Sequence, residues 1–372
     1  MVSKNFNNKY LICFFFLLLC FGLSAQIPTA YYKNAEGKNK ADLKTALYNI
    51  IYKHTQLVYY SSATSFRSTD WHPATQTAPN GYYWDMYSNN VHTSWSGMNR
   101  EHNMPKSWFG ISSGQENSAP IGCDLHNLYP SDATANTAKS NYPLGEVTGT
   151  PTYTNGVVKV GANGLTFNES DATLLKYNGL VFEPDDEYKG DFARDYMYMV
   201  TCYEDYANVW QNIGISSMLQ RNTYPVFNRW AVNLILKWHR QDPVSQKEIT
   251  RNNAVYTLQY NRNPFVDHPE LAEFIWGKYM DIEWSDTVKL PEDEIPFSVK
   301  PTFVVGDSLT ATLNYPEKST YFIRTMNGAE YRKGSFSSTG AIDMRYLRNG
   351  MYLLEVYSAT KKRYVLKFIV WK

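Results

Sequence analysis

The sequence predicts an α+β chain in two folded parts: a mixed helical and stranded domain, followed by a small all-β sandwich. Three observations carry that prediction. Residues 96–139 read as strand, loop, strand and short helix; apolar and aromatic residues recur at helical spacing between residues 191 and 276; and from residue 302 onward the period shortens to two. A length of 372 residues exceeds what one typical core supports, and 43% hydrophobic with 19% charged residues suits ordinary globular domains. The expected boundaries are a leader over 1–25, a main domain over 26–283, a linker over 284–296 and a C-terminal sandwich over 297–372.

The leader is read from Lys4 and Lys9 before an apolar run over 11–23, then Ser24-Ala25 ahead of Gln26. That is the pattern of a secretory signal peptide cut after Ala25, and the run is too short to span a bilayer comfortably. No later run is long enough to span, so the mature chain is expected to be secreted or held at the cell surface, as a monomer. Of 4 cysteines, Cys13 and Cys20 leave with the leader. Cys123 and Cys202 are then free to pair in an oxidising exterior, or to remain two buried thiols.

A helix is expected over 40–58 from Leu43, Leu47, Ile50 and Ile51, then loops with short strands over 59–96. Ser131 is the expected cap of a short helix over 132–139. Residues 146–178 read as short strands and Gly/Asn turns. Further helices are expected over 191–211 and 224–240. Ser245 and Glu248 have the spacing of a capping box for a helix to about residue 258, and Pro269 opens a short one ending near Trp276. The acidic, proline-bearing stretch 284–296 suits an exposed linker. Beyond it, short alternating runs separated by Gly306-Asp307, Asn327-Gly328 and Asn349-Gly350 imply about seven strands.

The groups that carry chemistry crowd into 99–142. Glu101 and His102 are adjacent, so on a regular strand they face opposite ways; a site using both predicts irregular backbone there. A neutral imidazole can take a proton from water near pH 7. Glu101 and the amide oxygen of Asn136 are hard donors for a divalent ion, and Lys139, one turn further on, carries a cation suited to phosphate. These types suit hydrolysis of a phosphodiester. Each also has a plainer reading: Glu101 as the ion-pair partner of Arg100, Asn136 as a helix-surface amide, His126 as a hydrogen-bonded structural residue. A net charge of +1 and a pI near 7.6 give no bulk attraction for a polyanion, so nucleic-acid binding requires a local site. The spacing of His54, His72, His92, His239 and His268 does not suggest a zinc site.

The chain resembles the secreted endonuclease I family. The resemblance rests on Asn99-Arg100-Glu101-His102 with Pro105, Ser107, Trp108 and Phe109; on Asp124-Leu125-His126-Asn127-Leu128 with Pro130; and on Asn136 with Lys139-Ser140-Asn141-Tyr142. Phe182-Glu183-Pro184, Tyr188-Lys189-Gly190-Asp191, Arg194, Trp238, Asp242-Pro243-Val244, Arg251-Asn252 and Asn261-Arg262-Asn263-Pro264-Phe265 extend it over about 48–276. It implies a ββα-metal (His-Me finger) core and hydrolysis of DNA, with RNA as an open second substrate, leaving 5′-phosphate ends. Carried over by position, it implies His102 as general base, and Glu101 with Asn136 as ligands of one Mg²⁺, or Mn²⁺ or Ca²⁺. Arg100, Asn127, Lys139, Arg194 and Arg262 are the expected nucleic-acid-binding residues, Asn127 as organiser of the loop that carries His102. Some relatives carry an arginine between the two strands, whereas residues 109–123 contain no Lys or Arg. That role is expected to fall to Arg100, Arg194 or Arg262.

The C-terminal part resembles the sorting domains of type IX secretion cargo, through Leu347, Asn349-Gly350-Met351-Tyr352 and the terminal Lys367-Phe368-Ile369-Val370 with Lys372. This implies the secretion machinery as a partner. Two readings from other classes stay open: a catalytically silent nucleic-acid-binding surface protein, and a phosphodiesterase acting on small substrates.

Overall fold

A computed structural model describes residues 27–164, 177–210, 218–286 and 297–371, apart from 301–302, 305–307, 314–317, 326–327, 338 and 358–362. The expected signal peptide, and residues 287–296 of the expected linker, lie outside the described residues. The chain divides into two compact units, 1–286 and 287–372.

In the first unit α1 (Lys40–Ile51) buries Leu43, Leu47 and Ile51. It stops short of residue 58 because Thr55 donates its backbone N–H to the carbonyl of Gln259 at 2.8 Å, which turns the chain out of the helix. A helix that the sequence pattern did not suggest, α2 (Ser62–Thr69), precedes the short strands β1 (Trp71–His72) and β2 (Tyr82–Tyr83). Next come β3 (Met98–His102), β4 (Leu128–Asp132) and α3 (Ala133–Lys139). The second strand begins later than expected, since residues 120–127 form turns. Asp132, not Ser131, caps α3, its carboxylate accepting from the N–H groups of Thr134 and Ala135. Strands β5 (Tyr153–Thr154), β6 (Lys159–Ala162) and β7 (Leu180–Glu183) form an antiparallel sheet.

Helix α4 (Lys189–Cys202) is buried along its whole length, so its polar side chains must find internal partners. It is shorter than the expected 191–211 and gives way to a tighter turn over Glu204–Asn208. Helix α5 (Arg229–Gln241) starts after 224 because Val226 takes a left-handed backbone, φ 63°. In α6 (Gln246–Gln259) the Ser245–Glu248 capping box forms in both directions. Helix α7 (Pro264–Asp267) opens on Pro264, and Pro269 sits in the turn before α8 (Leu271–Ile275). Phe66, Tyr83, Met98, Leu125, Leu128 and Val255 form one apolar cluster, which seats the β3–β4 hairpin on α2 and α6. Among the described residues no helix is long and apolar enough to cross a membrane.

Among the described residues the second unit has eight strands: β8 (Phe297–Lys300), β9 (Phe303–Val304), β10 (Ser308–Leu313), β11 (Lys318–Thr325), β12 (Glu330–Ser337), β13 (Thr339–Asp343), β14 (Gly350–Tyr357) and β15 (Arg363–Val370). They make a three-stranded sheet, β13-β10-β8, and a five-stranded sheet, β12-β11-β14-β15-β9. Leu309 and Ile342 from the first share one core with Ile323, Leu354, Val356 and Phe368 from the second, as in a sandwich. Cys123 and Cys202 are both buried free thiols, so the disulfide does not form.

Candidate active site

Strands β3 and β4 pair antiparallel with Arg100 opposite Pro130, Glu101 opposite Tyr129 and His102 opposite Leu128. The register is regular up to His102, so the irregular backbone expected at Glu101-His102 is absent. Alternation does the sorting instead. Arg100 and His102 share the face toward Tyr59, while Glu101 points to Lys139 of α3. Both faces reach a pocket of about 690 Å³, whose lining includes Tyr59, Arg100, Glu101, His102, Lys106 and Asn136.

His102 is buried and fixed on two sides. Its Nε2 lies 2.9 Å from the carbonyl oxygen of Gly122, and its ring stacks on Tyr59 with centroids 5.8 Å apart and planes 10° apart. A carbonyl only accepts, so the neutral ring carries its proton on Nε2 and keeps the lone pair on Nδ1. Burial holds the pKa of His102 down, to about 4, against the pull of that hydrogen bond. The ring is therefore neutral near pH 7.

Glu101 is buried, and its Oε1 accepts from Lys139 Nζ at 2.6 Å, so its partner is Lys139 rather than Arg100. Burial raises the pKa of Glu101, while the ammonium of Lys139 pulls it back. Lys139 is itself fully buried, reaches the His102 carbonyl at 3.4 Å and lies over the Phe182 ring. The structure thus places Lys139 behind Glu101, where it balances a carboxylate rather than meeting a phosphate. Asn136, half-buried on α3, directs its amide nitrogen to the Arg100 carbonyl at 3.4 Å, which leaves Oδ1 as the atom for a ligand. A carboxylate and an amide oxygen lining one pocket are hard donors that fit a divalent ion such as Mg²⁺.

The other expected residues lie elsewhere. Asn127 is buried in a turn, not on a strand; it accepts from Met104 N–H at 2.7 Å and donates to Met104 O at 3.1 Å, so it ties down the segment that follows His102. Arg194 is buried on α4, held by Glu248 and by the Asp242 carbonyl at 2.8 Å. Arg262 is buried against Asp267 at 2.6 Å and Asn253 at 2.7 Å. Neither lines the pocket, and for these two the nucleic-acid-binding expectation is corrected: a buried guanidinium stays where its carboxylate is.

Asp124, His54 and Cys202 bring potential metal-ligating atoms within 4.8 Å of one another. The carboxylate of Asp124 is already engaged. Oδ1 accepts from His126 N–H and Gln259 Nε2, and Oδ2 accepts from the hydroxyls of Tyr198 and Tyr203 at 2.6 and 2.7 Å. With four donors around it, this group is a structural hub. His126 beside it is buried and reaches the Asn261 carbonyl at 3.4 Å.

Residues 39–270 match the family model described as Endonuclease I. The chain belongs to the endonuclease I family. It is 34% identical over 254 residues to an extracellular ribonuclease of Bacillus amyloliquefaciens, covering 66% of this chain and 78% of that protein. An extracellular ribonuclease of Bacillus subtilis (strain 168) matches with the same identity and coverage. An extracellular deoxyribonuclease of Aeromonas hydrophila is 26% identical over 144 residues, 39% of this chain and 49% of its own. Among solved structures, a DUF3244 family protein from Bacteroides vulgatus with an immunoglobulin-like β-sandwich fold aligns with 21% of this chain and 86% of its own, at 22% identity and a TM-score of 0.19.

As a member of that family the chain is a nuclease, a phosphodiester hydrolase. Tyr59 and Lys106 also line the pocket, without a local signal of their own in the sequence. Lys106 stands just ahead of residues 109–123, lines the pocket and pairs with Glu116. Tyr59 lies far from His102 in sequence and only the fold brings the rings together. An aromatic residue at position 59 gives no signal by itself among 30 tyrosines.

Proposed function

We propose that this chain is a secreted, metal-dependent endonuclease with a ββα-metal site, cutting DNA and RNA with His102 as general base. The observation that carries the reading is the convergence of His102, Glu101 and Asn136 on one pocket, with the proton of His102 parked on Gly122. Nδ1 of His102 takes a proton from the attacking water as its oxygen bonds to phosphorus. A conjugate acid at about pH 4 makes a weak base, and an anionic phosphate arriving beside the ring raises that value as substrate binds. Glu101 and Asn136 would hold a divalent ion, which when bound stabilises charge on the phosphoryl oxygens and the leaving oxygen. Lys139 favours the charged form of Glu101 against its burial, and Arg100 of β3 and Lys106 line the pocket as cations. Departure of the 3′ oxygen leaves a 5′-phosphate.

Relatives named for ribonuclease and deoxyribonuclease activity support a site indifferent to the sugar. Their extracellular naming supports export; on this reading residues 1–25 are the signal peptide and the sandwich over 297–372 is a sorting module for secretion machinery. The test is cleavage of plasmid DNA and of RNA by the mature chain, with Mg²⁺ and with EDTA. Both substrates should be cut, and EDTA should abolish both. Cleavage that persists in EDTA contradicts the metal-dependent mechanism.

A further inference from the structure

A continuous run of rings and guanidinium groups leads from the pocket to the surface of α2. Tyr59, stacked on His102, lies 5.4 Å from the Arg100 guanidinium; Arg100 lies 5.1 Å from Trp95; Trp95 meets Tyr83 at 5.4 Å; Tyr83 meets Trp71 at 4.8 Å; and Trp71 carries Arg67 at 4.5 Å. Tyr59, Arg100, Trp95 and Trp71 are half-buried, Tyr83 is buried beneath them, and Arg67 is exposed. Arg67 rests on rings and has no carboxylate partner among the described residues, unlike Arg194, Arg251 and Arg262.

We propose that this run is a subsite for an unpaired nucleic-acid strand, continuing from the scissile phosphate in the pocket toward Arg67. The inference deepens the nuclease reading and rests on the pocket being where the strand is cut. Tyr59, Trp71 and Trp95 pack by one side on the apolar cluster, Trp95 stacking on Phe66 at 5.8 Å, and their half-exposed remainder offers bases a surface to stack against, while the guanidinium groups between them attract phosphates or stack on bases in turn. Bases in a duplex already stack on each other and cannot turn to such a surface, so the subsite selects single strands or locally opened ones. The charge is local, two arginines in a protein of net charge +1, which suits a short path better than a broad duplex-binding face.

The test uses the mature chain carrying His102→Ala, in EDTA, so that binding is read without cleavage. Fluorescence anisotropy gives Kd for labelled single strands of DNA and of RNA about a dozen nucleotides long, and for a duplex of the same length. Adding Arg67→Ala or Trp95→Leu should weaken single-strand binding about tenfold, the scale of one lost stacking contact. Arg67→Ala should also flatten the salt dependence by about one unit of slope. Duplex binding should change far less. DNA and RNA strands behaving alike places recognition in bases and phosphates; loss confined to RNA points to the ribose and overturns the stacking account. Unchanged single-strand affinity in both variants, or equal losses on single strand and duplex, also overturns the proposal. Arg67 is exposed, so its variant is informative even where Trp95→Leu unfolds the chain. Failure of the catalytic reading shows separately, as cleavage by His102→Ala with Mg²⁺.

Discussion

Two clusters within one stretch of chain pair histidine with a carboxylate, and they do opposite things. Glu101 and His102 look into a cavity of about 690 Å³, and the imidazole keeps an unused lone pair. Asp124, with His126 and His54 beside it, is buried and its carboxylate takes four donors. Residue types alone do not separate the two. What separates them is whether the hydrogen-bonding capacity is spent inside the fold: spent capacity makes architecture, and unspent capacity facing a cavity makes a site.

The two clusters should respond to mutation in opposite ways. Glu101→Gln keeps an oxygen for Lys139 but loses the charge; plasmid cleavage should fall roughly 100-fold or more, since a charged oxygen ligand is lost, while urea unfolding should show a smaller cost of about 1–3 kcal/mol, because the buried Lys139 ammonium keeps an acceptor but not its anion. Asp124→Ala should do the reverse, costing about 3–5 kcal/mol in urea unfolding, because two tyrosine hydroxyls, an amide and an N–H lose a buried charged partner. A stable but inactive Asp124→Ala protein would move Asp124 into the catalytic machinery.

Acid sharpens the same contrast. Burial depresses the folded pKa of His126 and of His239 to about 4, from about 6.5 when unfolded. Between these values both histidines bind more protons in the unfolded chain than in the folded one. The contribution of these two histidines to stability is therefore full above about pH 6.5 and is lost as pH drops toward 4, while Asp195 and Asp242, whose carboxyls burial raises to about 7, act in the opposite direction. The check is His239→Gln, whose urea midpoint should fall less between pH 6.5 and 4 than that of the unaltered chain; an identical acid dependence contradicts the buried-neutral assignment. The smallest effect is expected at Asn127. Its Ala variant leaves both backbone groups of Met104 without their partner and should cost about 1–3 kcal/mol, with a lesser drop in cleavage than Glu101→Gln. A loss of cleavage as large as that of Glu101→Gln would make Asn127 part of the site itself.

The local features were legible in the sequence. The strand, loop, strand, helix order and the Ser245–Glu248 capping box depend on neighbours a few residues apart, and so does the helical periodicity of α4 and α5. Boundaries moved where a distant group intervened, as when Gln259 captured Thr55 and ended α1. Lys139 read as a phosphate cation because its partner Glu101 is set by the pairing of two strands and a helix, not by spacing. Arg194 and Arg262 read as groove residues for the same reason: nothing local says that their carboxylates are internal. Tyr59 and the Arg67–Trp95 run were invisible because ring contacts join segments that only the fold brings together.

The most direct test of the central claim is chemical rescue of His102→Gly on supercoiled plasmid with Mg²⁺. The void left by the imidazole is bounded by the Tyr59 ring and the Gly122 carbonyl, so added imidazole can take the same place and present the same nitrogen. Nicking should fall about 1,000-fold on removing the ring and recover in part, in proportion to imidazole added. A His102→Gly protein that nicks at the unmodified rate, with no imidazole present, contradicts the account.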